Sequence, residues 1–179
     1  MLPNPLHPAV VHFPVVIAFL LPVFAVGAVW AIRRGARPRR AWSIPLAIAL
    51  ALAASAWAAV ETGEEQDERV EDVVGERPLH AHAEMAEALL VSSAVLVVIA
   101  AGGLLGGVPG RSARVATAVG SVALVVIAAR VGHSGGQLVY KYGAASVYTS
   151  SSAAGSVAPG AAEPGGRADR ESGEEGEHR

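Results

Sequence analysis

Four long apolar runs constrain the fold of this chain more than any other feature of its sequence. They cover residues 10–32, 41–60, 79–105 and 115–132. An α-helix rises about 1.5 Å per residue, so about 20 residues cross a hydrocarbon core of about 30 Å. Lipid offers the backbone no hydrogen-bond partner, so a spanning segment of this composition must be helical. The runs predict an all-α fold, an integral membrane four-helix bundle within residues 1–148.

The composition agrees with a membrane protein and narrows its chemistry. Hydrophobic residues make up 52% of the 179 residues and charged residues only 17%, a balance too apolar for a soluble domain of this size. The chain has no cysteine, which excludes disulfides, iron–sulfur clusters and haem attached through Cys-x-x-Cys-His. Residues 149–179 have no apolar period, and we predict a disordered polar tail there. No nucleic acid is expected as a partner.

The charges of the connecting segments predict an orientation. RRGARPRR, between the first two helices, holds five arginines and no acid, and GVPGRSAR, between the last two, adds two more arginines. The connection at residues 61–77 instead holds eight acidic and two basic residues, a net charge of −6. By the positive-inside rule the arginine-rich connections are cytoplasmic. We therefore expect a multi-pass protein of the bacterial cytoplasmic (inner) membrane with both termini outside.

The ends of the later helices are predicted from proline and glycine. Helix three is expected to start near Pro78, and helix four to end at Gly132. Gly135 and Gly136 would then permit a close turn, and QLVYKYG would lie extended at the membrane interface with Tyr140 as a belt residue. No internal repeat is evident, although two helical hairpins of similar length leave a distant duplication open.

In this topology five histidines gather at or near the outer face: His7, His12, His80, His82 and His133. His80 and His82 are two residues apart, about 200° around a helix, so both cannot face the bundle interior. The apolar neighbours of His82 predict that it faces inward, while His80 faces water or a weak metal contact. The alternative for any one of them is a histidine that only hydrogen-bonds a carbonyl or reaches toward headgroups.

Neutral imidazoles from facing helices at one end of a bundle suit axial ligation of a b-type haem. Two ligands would come from His12, His82 and His133, and Arg130 would neutralise a propionate or act as an interfacial anchor. A divalent metal bound by these three histidines and His80 is the second option, although no His-x-x-x-His spacing supports it.

The opening LHPAVVHFPVVIA at residues 6–18, a histidine at the start of helix three, and GHSGGQLVYKYG at residues 132–143 resemble a bacterial membrane family, domain of unknown function 2231. The resemblance covers residues 5–147. It implies a four-helix membrane protein that binds haem b and works beside c-type cytochrome modules. Its pattern matches this chain at His7, His12, His82, His133, Gly135, Gly136 and Tyr140. The family more often has alanine where this chain has Glu61, and leucine where it has Ser134.

From these patterns we expect an electron-transfer protein of the lipid bilayer that exchanges electrons with a quinol or an outside c-type cytochrome, without catalysis of its own. The alternative is a non-enzymatic structural or assembly subunit of a membrane complex or homo-oligomer, whose outer histidines and tyrosines bind a partner protein or lipid headgroups.

Overall fold

A computed structural model describes residues 7–146, and within them every regular element is a helix. The helices are α1 (His7–Val10), α2 (His12–Arg33), α3 (Pro38–Glu64), α4 (Asp67–Val74), α5 (Glu76–Gly102) and α6 (Gly107–Tyr140). The segment formed by α1 and α2, and each of α3, α5 and α6, is long and apolar enough to cross a membrane. The predicted all-α fold is confirmed for this part of the chain. The predicted polar tail lies outside the described residues.

The four long helices form a ring of two hairpins. Helix α2 packs against α3 and α5 against α6, while contacts of α3 with α5 and of α2 with α6 close the ring. Helix α2 thus lies diagonally across from α5, and both run in the same direction. Leucines and alanines fill the centre, and many valines and phenylalanines remain exposed on the outward faces. Apolar outward faces of this kind suit a lipid surrounding better than water.

The two hairpins repeat one pattern of burial. Buried positions of α2 recur in α5 at a spacing of 75 residues, in the pairs Pro14 and Leu89, Ala18 and Ser93, Leu21 and Leu96, Ala25 and Ala100. Buried positions of α3 recur in α6 at a spacing of 72, in the pairs Trp42 and Arg114, Pro45 and Thr117, Ala49 and Ser121, Leu52 and Leu124, Ala56 and Ala128. The hairpins are therefore structural repeats related by an approximate twofold axis along the bundle, and four of the nine paired residues are identical.

The last long helix differs from its prediction. Helix α6 does not end at Gly132 but continues to Tyr140, so the predicted turn and extended segment are both wrong. Neither Gly135 nor Gly136 has a positive φ, and both lie inside the helix. The extension is stabilised because Leu138 packs with Val70 and Val74 of α4. A glycine costs a helix only about 1 kcal/mol, which such packing and the continued backbone hydrogen bonds offset.

Other boundaries also shift. Helix α5 begins at Glu76 rather than near Pro78, and α6 begins at Gly107, eight residues before the predicted 115. The acidic connection contains the helix α4, which packs against α5. We call the end of the bundle with His7, His82 and α4 the histidine end. The opposite end, with the connections at residues 34–37 and 103–106, is the arginine end.

Candidate functional site at the histidine end

The histidine end holds a pair of half-buried imidazoles, His7 and His82, on diagonally opposite segments of the ring. His7 opens α1, which packs against the end of α3, and His82 lies in the second turn of α5, beside α6. The two rings lie at the same end of the bundle because α1 and α5 both begin there. They also occupy equivalent positions, because His82 follows His7 at the same spacing of 75 residues that relates α2 to α5. The repeat thus brings one histidine from each hairpin to the same end.

His7 is held by the last turn of α3. Its Nδ1 lies 3.3 Å from the Oγ1 of Thr62. The Thr62 hydroxyl donates its own hydrogen to the backbone carbonyl of Ala58, at 2.8 Å. Gly63 lies close to the ring, since a Cβ added there would be 3.1 Å from Cε1 of His7. A hydroxyl and a glycine, adjacent in sequence, therefore position this imidazole.

His82 is held in the same way by α6. Its Nδ1 lies 2.8 Å from the Oγ of Ser134, whose hydroxyl donates to the carbonyl of Val131 at 2.9 Å. A Cβ added at Gly135 would be 3.1 Å from Cε1 of His82. Ser134 and Gly135 follow Thr62 and Gly63 by the 72 residues that relate α6 to α3. Each hairpin thus builds its own copy of one contact.

These contacts favour one tautomer of both rings. A serine or threonine hydroxyl has one hydrogen, and in Thr62 and Ser134 that hydrogen is engaged by a backbone carbonyl. With its hydrogen on the carbonyl, the hydroxyl oxygen accepts from the imidazole, and in this arrangement Nδ1 of His7 and of His82 carries the proton. In a neutral imidazole the other nitrogen, Nε2, then carries a lone pair. Both rings are therefore set to bind an electrophile through Nε2.

The other predicted ligands point elsewhere. His12 is exposed on the outward side of α2, and His133 and Arg130 are exposed on the outward side of α6. Nε2 of His133 accepts a hydrogen bond from the side-chain amide of Gln137, at 3.0 Å. The structure therefore leaves His82 and His7 half-buried at one end of the bundle, whereas His12 and His133 are exposed there.

The orientation of His80 and His82 agrees with the helical spacing. The side chain of His80 is 70% exposed, and its Nδ1 lies 3.8 Å from a carboxylate oxygen of Glu84. His80 also borders a pocket of about 170 Å³ with Asp67 and Glu71. Burial raises the pKa of Asp67, the negative charges of Glu64 and Glu71 raise it further, and His80 opposes them. In residues 7–146, no group of three or more His, Asp or Glu side chains is arranged to hold a metal ion.

The remaining motif residues, Gly136 and Tyr140, lie in open surroundings. A Cβ at Gly136 would meet nothing within 4 Å, and Tyr140 is 92% exposed at the end of α6. The roles of Thr62 and Ser134 were not predicted from the sequence. A signal for them exists, because each hydroxyl is followed by glycine and lies 55 or 52 residues after its histidine. Ser134 is also a position where this chain departs from the family pattern that it resembles.

The fold and the site define a class: a four-helix protein whose helices are long and apolar enough to cross a membrane, with paired imidazoles at one end. Comparison with family models, curated proteins and solved structures finds no match for the chain. The resemblance to domain of unknown function 2231 therefore stays a prediction.

Proposed function

We propose that this chain is a protein of the bacterial cytoplasmic membrane, with both termini outside, that holds b-type haem near the outer face and transfers electrons between a quinol and an outside carrier. His7 and His82 are the proposed ligands. The observation that supports this choice is that Nδ1 of each half-buried ring contacts a hydroxyl, which leaves Nε2 available as a ligand.

The donor set fits haem better than a free divalent ion. Haem needs only one or two ligands from the protein, and His7 and His82 would be those residues. Zinc in proteins takes three or four protein ligands, and the described part of the chain has no such group. When bound, haem would supply one-electron exchange.

The surrounding residues have defined tasks under this proposal. Thr62 and Ser134 accept from Nδ1, which fixes the ring orientation and increases the basicity of Nε2. Gly63 and Gly135 let each ring lie against the neighbouring helix. Because both imidazoles are only half-buried, an electron carrier in solution could approach the site closely.

A reduced-minus-oxidised visible spectrum of the detergent-purified, haem-supplemented protein tests the proposal, with pigment extraction to measure haem content. We expect sharp α and Soret bands at about one haem per chain. The variants His7→Ala and His82→Ala should each lose the low-spin spectrum. The matched controls are His12→Ala and His133→Ala, which remove exposed imidazoles and should keep it.

Two results would overturn the proposal. A folded wild-type protein without a Soret band would exclude haem binding under these conditions. Loss of the spectrum in the His12 and His133 variants, with retention in the His7 and His82 variants, would return the ligand assignment to the set that the sequence predicted.

A second function, binding of a partner protein, is favoured by one observation. Three groups near the histidine end face outward: His12 on α2, and His133 and Tyr140 on α6. If the protein is a structural or assembly subunit, replacing His133 or Tyr140 changes the set of co-purifying proteins and has no spectral effect. Replacing His7 or His82 would then leave that set unchanged.

A further inference from the structure

The arginine end contains the larger pocket, with a volume of about 590 Å³. It lies between the connection from α2 to α3 and the connection from α5 to α6. Every charged side chain that lines it is an arginine: Arg37, Arg39, Arg40, Arg111 and Arg114. Five positive charges around one pocket, with no acid among its lining residues, attract an anion.

One of these arginines is buried without a countercharge. Arg114 is 7% exposed. Its Nε donates to the carbonyl of Gly103 at 2.7 Å, and one Nη donates to the carbonyl of Leu105 at 3.2 Å. Carbonyl oxygens satisfy N–H groups but do not neutralise a guanidinium, and no carboxylate within residues 7–146 forms an ion pair with it. A buried charge is costly unless it is compensated, so an anion in the pocket would stabilise Arg114.

The backbone adds to the positive potential. Helix α3 begins at Pro38 and α6 begins at Gly107, and both residues line the pocket. The first N–H groups of a helix lack partners within it and carry a partial positive charge, which favours phosphate groups. The rest of the lining is apolar, with Ile32, Leu104 and Leu105. The pocket therefore combines a site for a charged group with a surface for hydrocarbon.

The positive-inside rule alone does not account for this arrangement. That rule concerns the number of arginines in a connection and not their convergence. Arg33 and Arg34 belong to the same arginine-rich stretch, yet neither lines the pocket. Arg34 lies over the ring of Trp30 instead, 5.1 Å from its centroid. The pocket thus uses some of these arginines and leaves others out.

We propose that this pocket binds a phosphate group carried by an anionic phospholipid, with the arginines and the two helix N-termini around the phosphate and the leucines against the acyl chain. The source of the phosphate is the lipid headgroup, and a soluble phosphate compound would use the same chemistry. This assignment does not depend on the histidine end.

The test uses the full chain in detergent and two double variants of equal charge. Arg37→Gln with Arg111→Gln removes two exposed arginines of the pocket. Arg33→Gln with Arg34→Gln removes two exposed arginines outside it. Binding of phosphatidylglycerol and of phosphatidylcholine is measured by native mass spectrometry and by titration with fluorescent lipid, and circular dichroism checks the fold of each variant.

We expect wild type to prefer phosphatidylglycerol, and the pocket variant to bind it about tenfold more weakly or worse. The control variant should change by less than about twofold. Arg37→Lys with Arg111→Lys keeps the charge and should recover much of the binding.

Three other results of the binding experiment would also decide the proposal. Binding of inorganic phosphate alone, lost in the pocket variant, would support the phosphate chemistry and assign it to a soluble compound. Equal weakening in both double variants would overturn the proposal, because diffuse attraction would then explain the binding. A wild-type protein that binds neither phosphatidylglycerol nor phosphate would overturn it as well.

Discussion

The two ends of the bundle are built from the same repeated hairpin. They differ in how similar the side-chain contacts of the two hairpins are at each end. At the histidine end both halves make one contact, a histidine held by a hydroxyl and a glycine of the paired helix. At the arginine end equivalent positions carry different side chains, Trp42 in α3 and Arg114 in α6. The histidine end therefore has two similar sites. The arginine end has one site, to which the two hairpins contribute different side chains.

The difference follows from what each side chain contacts. Trp42 is fully buried among alanines, and its indole N–H donates to the carbonyl of Ala100 in the other hairpin, at 2.8 Å. Arg114 donates to carbonyls of the connection between α5 and α6, within its own hairpin. One half therefore supplies packing between the hairpins, and the other supplies charge to the pocket.

The largest expected effect concerns this asymmetric packing. Trp42→Ala should lower the free energy of unfolding by about 3–5 kcal/mol, because it empties a fully buried site and removes the bond to Ala100. Unfolding in mixed detergent micelles, followed by circular dichroism, measures the change. The control is Trp57→Ala, since Trp57 is 59% exposed and should cost far less in micelles. Equal losses would contradict the view that Trp42 joins the hairpins.

The second effect tests the likeness of the two histidine contacts. Ser134→Ala should lower the free energy of unfolding by about 1–2 kcal/mol, because it leaves the Nδ1–H of His82 without its acceptor. Thr62→Val should cost less, since its bond to His7 is longer than that of Ser134 to His82, 3.3 Å against 2.8 Å. Thermal unfolding of the two variants measures both changes. A larger loss from Thr62→Val would reverse the predicted order of the two contacts.

The third effect separates two neighbouring glycines. Gly136→Ala should stabilise the protein by about 0.5–1 kcal/mol, because alanine favours a helix and the added Cβ meets open space. Gly135→Ala should lose that gain, since its Cβ would press on His82, and Gly63→Ala should behave like Gly135→Ala against His7. Thermal unfolding compares the three. If all three stabilise equally, the glycines do not position the rings.

The smallest effect concerns Asp67, in the acidic helix α4 at the histidine end. Burial, then the charges of Glu64 and Glu71, raise the pKa of Asp67 above its ordinary value of 3.8. Its ionisation is therefore less favourable in the folded state, and it lowers stability once the pH rises above about 4. Asp67→Asn should raise stability at pH 7 by a few tenths of a kcal/mol, given the solvent exposure of this carboxyl, and by nothing near pH 3.

Thermal unfolding at both pH values measures this difference. The exposed Asp72, in the same short helix α4, provides the control Asp72→Asn. A gain from Asp67→Asn that is equal at both pH values would show that the charge is not its cause.

The site was predicted from the sequence only in part. The spacing of His80 and His82 gave their orientation, because side-chain direction in a helix follows from position alone. That His7 and His82 are both half-buried at the same end of the bundle could not be predicted in this way. It depends on how α1 and α5 are rotated against α3 and α6, and apolar surfaces rich in alanine, valine and leucine allow many rotations.

The sequence by itself determined the four long apolar helices and the separation of arginines from acids, because helix length and charge are properties of local composition. Only the tertiary structure decided that α6 continues through Gly132, that the two hairpins repeat one pattern of burial, and that His7, rather than His12 or His133, is half-buried like His82. The physical reason is that burial at a helix contact requires suitable volume and not a particular residue, so packing between distant segments leaves little trace in one sequence.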